Sequence, residues 1–271
     1  MNTSSIITTI YSGDNLSYVS QALDSIECQI GLSEVRVYLH IDGELPQGHA
    51  EFINKNKHRF YKIIYSHENI GLARGLNKLL DIVEEDFIFR MDLDDLSTPE
   101  RFQSQVNFLL ANPEIDLVGS NAICIDENNS ITSYRILPPN QKSILKTLPK
   151  IMPILNGTFC IRKKIIDRGL RYPDVYLTED LAFLHAFFKH GYLAANLQEY
   201  LYKWRLDSNF FLRRNHKRSW VEFKTYISII FDFYPLSYYY AYPIARLLIR
   251  LLPIRLAKLL YSSKLRNSLS G

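Results

Sequence analysis

The N-terminal third of the chain alternates short apolar runs with amphipathic segments of helical period. β-Branched and aromatic residues fill the short runs, whereas residues 71–83 repeat their leucines at helical spacing. Because strands that alternate with helices usually pair in parallel, the pattern predicts an α/β fold with a mostly parallel, mixed sheet flanked by helices. The predicted strands are residues 5–10, 35–41, 61–65, 87–91, 117–125 and 158–161, and residues 193–204 are predicted to close the globular part.

Polar residues follow three of these predicted elements at the points where the chain turns. Asp42 ends the second strand, Asn69 and Gly71 precede a helix, and an acidic cluster at residues 92–95 follows the fourth strand. In sheets of this kind, ligands bind outside the carboxyl ends of the strands. The sequence therefore predicts a binding site at that edge of the sheet.

The acidic cluster is the strongest local signal for chemistry. Asp92, Asp94 and Asp95 place three carboxylates within four positions, where they repel one another. A hard divalent cation would relieve that repulsion, and Mg²⁺ or Mn²⁺ held by one or two carboxylates commonly shares its other positions with a substrate diphosphate. The alternative is a solvated acidic turn that caps the helix starting near Pro99.

The segment from Asn69 to Asn77 carries a second, weaker signal. Asn69 can cap a helix, Gly71 allows close approach of the backbone, and Arg74 offers a fixed charge to a phosphate group. An Asn-capped amphipathic helix with a surface arginine would produce the same pattern, so this segment alone does not decide the function.

A third signal is the pair Glu179 and Asp180, which follows Thr178 at the start of a predicted helix. Carboxylates in a first helical turn are favoured by the helix dipole, with Thr178 as a plausible N-cap. The functional alternative is a general base that takes a proton from an acceptor hydroxyl.

Taken together and in this order, these segments resemble family 2 glycosyltransferases of the GT-A fold, over about residues 4–206. Residues 90–102 are the most specific part, because they match an Asp-x-Asp-Asp metal motif followed by Pro-Glu-Arg-Phe. They resemble transferases of bacterial O-antigen, capsule and exopolysaccharide synthesis. The resemblance implies a metal-dependent enzyme that inverts the anomeric configuration in a single displacement.

The resemblance also implies roles for individual residues. The implied donor-nucleotide contacts are Tyr11, Asp42, Asn69, Gly71, Arg74 and Asp92, with Asp42 accepting from the uracil N–H of a UDP-sugar. The implied ligands of Mn²⁺ or Mg²⁺ are Asp94 above all, with Asp92 and Asp95 as further candidates. Asp180 is implied as the general base, and Glu179 as the residue that positions the acceptor.

Two departures from the family pattern affect the site. Thr9 and Ser12 stand where the family usually carries Pro and Asn. Many members also have a His that reaches the metal or diphosphate, in the region that here comprises residues 202–207. Arg205 is the candidate diphosphate contact in its place.

The C-terminal segment differs in charge from the rest of the chain. Residues 211–271 hold 11 of the 32 Lys and Arg but only 2 of the 28 Asp and Glu, which leaves residues 1–210 with 21 basic and 26 acidic side chains. We therefore predict a catalytic domain at residues 1–210 and a basic, aromatic-rich helical tail at residues 211–271 that associates with a membrane surface.

The predicted tail carries an apolar stripe at helical spacing, accompanied by basic residues. The stripe comprises Ile244, Leu247, Leu248, Leu251, Leu252, Leu256, Leu259 and Leu260, and its basic companions are Arg246, Arg250, Arg255 and Lys258. These arginines and the prolines around them argue against a spanning helix. The alternative is a helix that packs on the catalytic domain with a basic outer face.

Cysteine usage and the N-terminus bear on where the protein works. The three cysteines form no C-x-x-C pair, and the first residues lack the basic and apolar regions of a signal peptide. We expect a peripheral protein at the cytoplasmic face of the bacterial inner membrane, with no nucleic-acid partner. The expected partners are a UDP-hexose or UDP-N-acetylhexosamine donor, with UDP-galactose as first choice, and a polyprenyl-diphosphate-linked glycan acceptor.

Two other functions remain as alternatives. The run from Asp92 to Leu96 also resembles the nucleophile loop of haloacid dehalogenase-type phosphatases, although that loop normally lies on the first strand and carries Thr where Leu96 stands. A non-catalytic, membrane-associated scaffold of the GT-A shape is the other. Such a scaffold would be expected to have lost Asp94 or Asp180, and the chain keeps both.

Overall fold

The structure is a computed structural model, and it describes residues 3–31, 35–206 and 216–251. Within these residues there are nine strands and nine α-helices. The strands are β1 Ser4–Tyr11, β2 Val35–Asp42, β3 Lys62–Ser66, β4 Phe87–Arg90, β5 Leu96–Ser97, β6 Leu117–Ile125, β7 Ile131–Arg135, β8 Cys160–Arg162 and β9 Ala194–Arg205. The helices are α1 Leu16–Glu27, α2 Gln47–Lys55, α3 Leu72–Leu80, α4 Arg101–Ala111, α5 Gln141–Thr147, α6 Lys163–Asp167, α7 Glu179–Lys189, α8 His216–Phe233 and α9 Ala241–Leu251.

The strands form one mixed sheet in the order β3-β2-β1-β4-β8-β6-β9-β5, with β7 paired to β6. The pairings among β3, β2, β1 and β4 are all parallel, and β6 is parallel to β9. β8 is antiparallel to both of its neighbours. The predicted α/β class and largely parallel, mixed sheet are confirmed. The sequence did not reveal β5, which has two residues, or β7, which is short and mostly exposed.

Side chains of the central strands alternate between two apolar layers, as a pleated sheet requires. On one face Ile7 and Ile88 pack under α3, α5, α6, α7 and α8. On the other face Ile6 and Phe89 pack under α1, α2 and α4. Because both faces are covered, nearly all residues of β1 and every residue of β4 are buried, rather than alternate ones.

The C-terminal helices α8 and α9 pack onto the sheet domain. Tyr226 and Ile229 of α8 belong to the same buried layer as α7. Asp232 accepts hydrogen bonds from His185 Nε2 at 2.8 Å and Lys189 Nζ at 2.9 Å, both on α7. The described part of the predicted tail therefore rests on the catalytic domain. The boundary at residue 210 lies outside the described residues and stays a prediction.

The length and hydropathy of the helices bear on membrane insertion. Among the residues that the structure describes, none of the helices is both long enough and apolar enough to cross a bilayer.

Candidate active site

The carboxyl ends of the parallel strands bring the predicted site residues to one edge. In register, Tyr11 at the end of β1 lies beside Asp42 at the end of β2, and Asp42 lies beside Ser66 of β3. β4 is the other neighbour of β1, and Asp92 follows two residues after its end. The structure thus places the first strand, Asp42 and the acidic cluster along one continuous edge.

Asp42 fixes the turn that precedes α3. Its Oδ1 accepts the N–H of Ile70 at 2.7 Å, and its Oδ2 accepts the N–H of Gly71 at 3.0 Å. The predicted cap by Asn69 is wrong, because Gly71 is the N-cap and its helix has no side-chain cap bond. Each carboxylate oxygen of Asp42 has a second lone pair, so the side chain can still accept from a nucleotide base.

Position 71 requires glycine because of its backbone conformation, not because a side chain would clash with a neighbour. Its φ of 86° lies in the region that favours glycine, and a Cβ built there would meet nothing within 4 Å. Asn69 lies against Gly43, whose added Cβ would come within 3.0 Å of the Asn69 nitrogen. Both residues of this turn thus stand next to Asp42.

Tyr11, which is in register with Asp42, and Arg74, in the first turn of α3, both present accessible groups. The Tyr11 side chain is 46% exposed, and its ring lies over Gly13, where an added Cβ would come within 2.5 Å of the ring. Arg74 pairs with Asp174 at 2.6 Å, and both side chains are mostly exposed. Exposed pairs of this kind contribute about 1 kcal/mol or less, so Arg74 can exchange Asp174 for a phosphate at little cost.

The three acidic residues of the cluster have different environments. Asp92 is 36% exposed, and its Oδ1 accepts from Nη2 of Arg90. Asp94 is partly exposed, whereas Asp95 is buried. Burial, followed by the charges of Asp94 and Asp92, raises the pKa of Asp95 well above its usual range.

Strand β9 takes Asp95 out of the open part of the cluster. Its Oδ2 accepts from Tyr202 Oη at 2.8 Å, and its Oδ1 accepts from the backbone N–H of Arg205 at 2.7 Å. Both oxygens thus join β9 to the loop that carries the cluster. This arrangement favours a structural role for Asp95 over the metal ligation that the sequence left open.

Arg205 is also committed to the protein. Its guanidinium donates to the carbonyls of Asp94 and Asp126 and to the side chains of Asn129 and Gln21. The group stacks on the ring of Tyr18 at 4.1 Å and is buried. These contacts favour a structural role and do not support the diphosphate contact expected from the sequence.

Glu179 and Asp180 form the first turn of α7, as predicted. Thr178 occupies the N-cap position but makes no side-chain cap bond, contrary to the expectation, and its Oγ1 has no hydrogen-bond partner among the described residues. Oδ1 of Asp180 accepts the N–H of Leu181 at 2.7 Å. Leu177, directly before this turn, has a φ of 53°, which is strained for a leucine.

The environment raises the pKa of both carboxyls of this pair. Burial, and after it the charge of Asp180, raises the pKa of Glu179 to about 7. Burial likewise raises the pKa of Asp180, while the N–H of Leu181 and the charge of Arg218 oppose the shift. A general base is most effective when its pKa lies near the working pH, so the environment suits proton transfer.

Tyr172 is a buried residue that is affected by the charges of both acidic groups. Its ring stacks on Phe183 with centroids 4.3 Å apart, and its hydroxyl donates to Asn156 Oδ1 at 3.0 Å. Burial raises the pKa of Tyr172, and the charges of Asp92, Asp180 and Glu179 add to that effect. Asp92 and the Glu-Asp pair are therefore close enough to act on the same hydroxyl. The Tyr172 side chain is buried in the core.

The carboxylates of the acidic cluster suit a metal ion that takes its remaining ligands from the substrate. Within the described ranges, no group of three or more His, Cys, Asp and Glu side chains could hold a metal ion by itself. Asp92 and Asp94 are both accessible at the strand edge. One or two carboxylates plus substrate phosphates are the usual ligands of Mg²⁺, so these two residues suit a site shared with a nucleoside diphosphate.

Arg101 joins several buried segments beneath the site through hydrogen bonds. The sequence motif did not reveal this role. Its buried guanidinium donates from Nη2 to the carbonyls of Arg90 at 2.9 Å and Gly157 at 2.7 Å. The remaining nitrogens donate to Ser97 Oγ and Gln105 Oε1. Burial lowers the pKa of Arg101 to about 10, so the group stays charged at neutral pH.

Replacing Arg101 by Met should destabilise the whole protein. The substitution leaves two buried carbonyls without a donor, and breaking such a network costs about 3 kcal/mol or more. We expect the melting temperature to fall by roughly 10 °C in calorimetry. Arg74→Met, at an exposed pair, is the matched control and should melt with the wild type. Equal melting of both variants would contradict the structural role of Arg101.

Comparison with known proteins gives the same result as the fold and the site. Residues 5–170 match the model of the Glycosyl transferase family 2. An uncharacterized glycosyltransferase of Haemophilus influenzae is 27% identical over 97% of this chain and 99% of its own length. The UDP-Gal:alpha-D-GlcNAc-diphosphoundecaprenol beta-1,3-galactosyltransferase of Escherichia coli is 24% identical over 98% of this chain and 97% of its own.

A solved structure shows the same fold at low sequence identity. TarS of S. aureus, residues 1–349 in complex with UDP-GlcNAc, superposes with a TM-score of 0.67. The identity is 16%, and the match covers 98% of this chain and 77% of that one. The phosphatase alternative is therefore wrong, because the family match spans the cluster and the acidic loop follows the fourth strand rather than the first. The chain belongs to glycosyltransferase family 2 and is a glycosyltransferase of the GT-A fold.

Proposed function

We propose that this enzyme transfers a sugar from a nucleotide-sugar to a hydroxyl of a lipid-linked oligosaccharide in bacterial surface polysaccharide synthesis, with inversion and with a divalent metal. The observation that carries the proposal is that the charges of Asp92, Glu179 and Asp180 all act on the buried hydroxyl of Tyr172, so that the acidic cluster and the Glu-Asp pair belong to one site. The donor is a UDP-hexose or UDP-N-acetylhexosamine, with UDP-galactose as first choice.

In this proposal the strand edge binds the donor nucleotide. Tyr11 stacks on the base, Asp42 accepts from the uracil N–H, and Asn69 with Gly71 lines the nucleotide. Arg74 leaves Asp174 for the diphosphate, a step that the exposure of this ion pair supports. Asp92 contacts the ribose or a metal-bound water.

Asp94, with Asp92, is proposed to hold Mn²⁺ or Mg²⁺. When bound, the ion offsets the charge that develops on the departing nucleoside diphosphate. The partial exposure of both carboxylates at the strand edge supports the assignment.

Asp180 performs the proton transfer. It takes the proton from the acceptor hydroxyl as that oxygen attacks the anomeric carbon, and the bond from this carbon to the diphosphate oxygen breaks. Glu179 positions the acceptor beside it. Because one displacement reverses the configuration at the anomeric carbon, an α-linked UDP-sugar gives a β-linked product.

Calorimetric titration of UDP into the protein, with and without Mn²⁺, tests the donor site. We expect binding that requires the metal, and weaker or no binding of GDP and CDP. Metal-dependent binding would justify donor screening, starting with UDP-galactose and an undecaprenyl-diphosphate-linked acceptor analogue. If none of the three nucleotides bound with or without metal, the proposed donor site would be wrong.

Transfer should depend on pH through the Glu-Asp pair. A carboxyl with a raised pKa stays protonated up to a higher pH than usual. It cannot act as a base while it is protonated. We expect kcat/KM to fall as the pH drops below neutral and to level off above it, because burial raises the pKa of the base Asp180 and raises that of Glu179, which positions the acceptor beside it, to about 7. An unchanged kcat/KM down to pH 5 would contradict the assignment.

A stability measurement checks the same pKa shift independently of activity. Because the folded pKa of Glu179 lies above the ordinary 4.5, its contribution to stability is present below pH 4.5 and is lost as the pH rises through about 7. Glu179→Gln should therefore melt above the wild type at pH 8, and the difference should shrink towards pH 5.

For the tail we propose a membrane-facing stripe on α9. Ile244 and Leu248 lie one turn apart and are 46% and 60% exposed, while Leu247 is buried against the domain. The expected role of the arginines on α9 is not supported, because Arg246 pairs with Glu222 at 3.1 Å and Arg250 pairs with the same carboxylate.

The remaining members of the predicted stripe lie outside the described residues. They are Leu252, Arg255, Leu256, Lys258, Leu259 and Leu260. In the proposal, the exposed stripe of α9 and this basic continuation bind the cytoplasmic face of the inner membrane, where a polyprenyl-linked acceptor resides.

A double substitution of the stripe tests the membrane proposal. Ile244→Asp with Leu248→Asp should abolish co-sedimentation with phosphatidylglycerol vesicles, because charge on an inserted face opposes burial in lipid. UDP binding should stay unchanged. Ile131→Asp, at an exposed apolar residue of β7, is the matched control. Sedimentation of the double variant at the wild-type level would contradict the proposal.

A further inference from the structure

Arg90, the last residue of β4, carries a buried guanidinium that the fold leaves incompletely bonded. Its side chain is only 1% exposed, and Nη2 donates to Oδ1 of Asp92. Nε and Nη1 are buried and have no hydrogen-bond partner among the described residues. Buried polar atoms are nearly always bonded, so an exception of this size calls for an explanation.

Arg101 provides an internal comparison, because it is buried beside Arg90 and binds its carbonyl oxygen. All three nitrogens of Arg101 donate hydrogen bonds within the protein. A structural arginine is thus fully bonded in this same part of the molecule, and Arg90 differs from it. Stabilising the fold alone does not account for a buried charge with two nitrogens left unpaired.

The surroundings of Arg90 connect the two halves of the site. Asp92 is its ion-pair partner, and the charge of Arg90 also acts on the hydroxyl of Tyr172 and on Glu179. The guanidinium is therefore bonded to the donor-side carboxylate of Asp92 and is close enough to act on the acceptor-side Glu179.

We propose that Arg90 is a positioning residue for the donor site. It holds Oδ1 of Asp92 from below, so that Oδ2 is directed to the nucleotide-sugar and its metal. Its charge also stays between the two acidic groups while the acceptor loses its proton. This inference rests on the proposed function, because it assigns Arg90 a part in binding the same donor.

The test is a double-mutant cycle between Arg90 and Asp92, read by two independent measurements. Arg90→Met, Asp92→Asn and the double variant are compared with the wild type in melting temperature and in calorimetric binding of UDP with Mn²⁺. Met keeps the length of the side chain and removes the unpaired nitrogens, so Arg90→Met should melt at or above the wild-type temperature.

UDP binding should weaken in Arg90→Met, although the melting temperature should not fall. We expect Arg90→Met to weaken metal-dependent UDP binding by about tenfold or more, as the loss of a charge-assisted hydrogen bond does. The double variant should bind no more than about twofold more weakly than Asp92→Asn, because both changes remove one interaction. Arg90→Lys, which keeps the charge, should recover part of the loss.

Two results would overturn the inference. One is a loss of folding in both Arg90→Met and Arg90→Lys, which would make Arg90 structural. The other is a folded Arg90→Met that binds UDP with Mn²⁺ as tightly as the wild type does. Independent effects, in which the loss of affinity in the double variant equals the product of the losses in Arg90→Met and Asp92→Asn, would overturn it equally. Failure of the wild type itself to bind UDP with Mn²⁺ would instead contradict the proposed function, and the melting comparison would still decide whether Arg90 stabilises the fold.

Discussion

Asp180→Asn should abolish sugar transfer and leave metal-dependent UDP binding within about twofold of the wild type. Asn cannot take the acceptor proton, and removal of a general base typically lowers kcat by about 10²- to 10⁴-fold. The fold should tolerate the change, because burial already disfavours the charged form of Asp180 and an amide oxygen can still accept from Leu181. Single-turnover transfer assays and UDP calorimetry on the same preparation measure both effects.

The neighbouring carboxylate is the matched control for this prediction. Glu179→Gln should reduce transfer less than Asp180→Asn, because Glu179 positions the acceptor and does not accept its proton. If Asp180→Asn lost UDP binding along with transfer, Asp180 would be structural. If Glu179→Gln were the more damaging change, the two roles would have to be exchanged.

Asp94→Asn should remove metal-dependent nucleotide binding and, with it, transfer. The substitution takes away the main anionic ligand of the proposed ion, and we expect UDP binding in Mn²⁺ to weaken by about 100-fold or more. Because Asp94 is partly exposed at the strand edge, the melting temperature should change little. Calorimetric titration at several Mn²⁺ concentrations measures the loss.

Asp95→Asn, one residue away, should behave in the opposite way. It weakens the bonds that join the acidic loop to Tyr202 and Arg205 of β9, so the protein should melt at a lower temperature. At temperatures where the variant is folded, UDP should still bind with the metal. Loss of metal-dependent binding in Asp95→Asn, with wild-type binding in Asp94→Asn, would identify Asp95 as the ligand.

The sequence predicts the strand edge well, because its signals are local. Apolar strands that alternate with helices specify a parallel sheet, and each parallel strand must end at the same edge. That is enough to bring Asp42 and the acidic cluster together before any contact is known. The start of α7 at Glu179 is likewise predictable, since acidic residues favour a first helical turn.

The environments of the carboxylates could not be predicted in this way. Asp92, Asp94 and Asp95 are the same residue type, and Asp95 is distinguished by Tyr202 and Arg205, which lie over 100 positions later. The bond from Asp42 to the turn before α3 likewise depends on the placement of β2 beside a turn 28 positions away. In α9, the inward direction of Arg246 and Arg250 depends on Glu222 of α8.

The hydrogen bonds between α7 and α8 affect which acceptors can reach the proposed base. Asp232 of α8 accepts hydrogen bonds from His185 and Lys189 of α7, the helix whose second residue is the proposed base Asp180. If α9 lies on the bilayer as proposed, Asp180 stands at a fixed height above the lipid head groups. A glycan anchored in the same bilayer presents each of its sugars at its own height, so the fold would act as a ruler that selects the acceptor by its length.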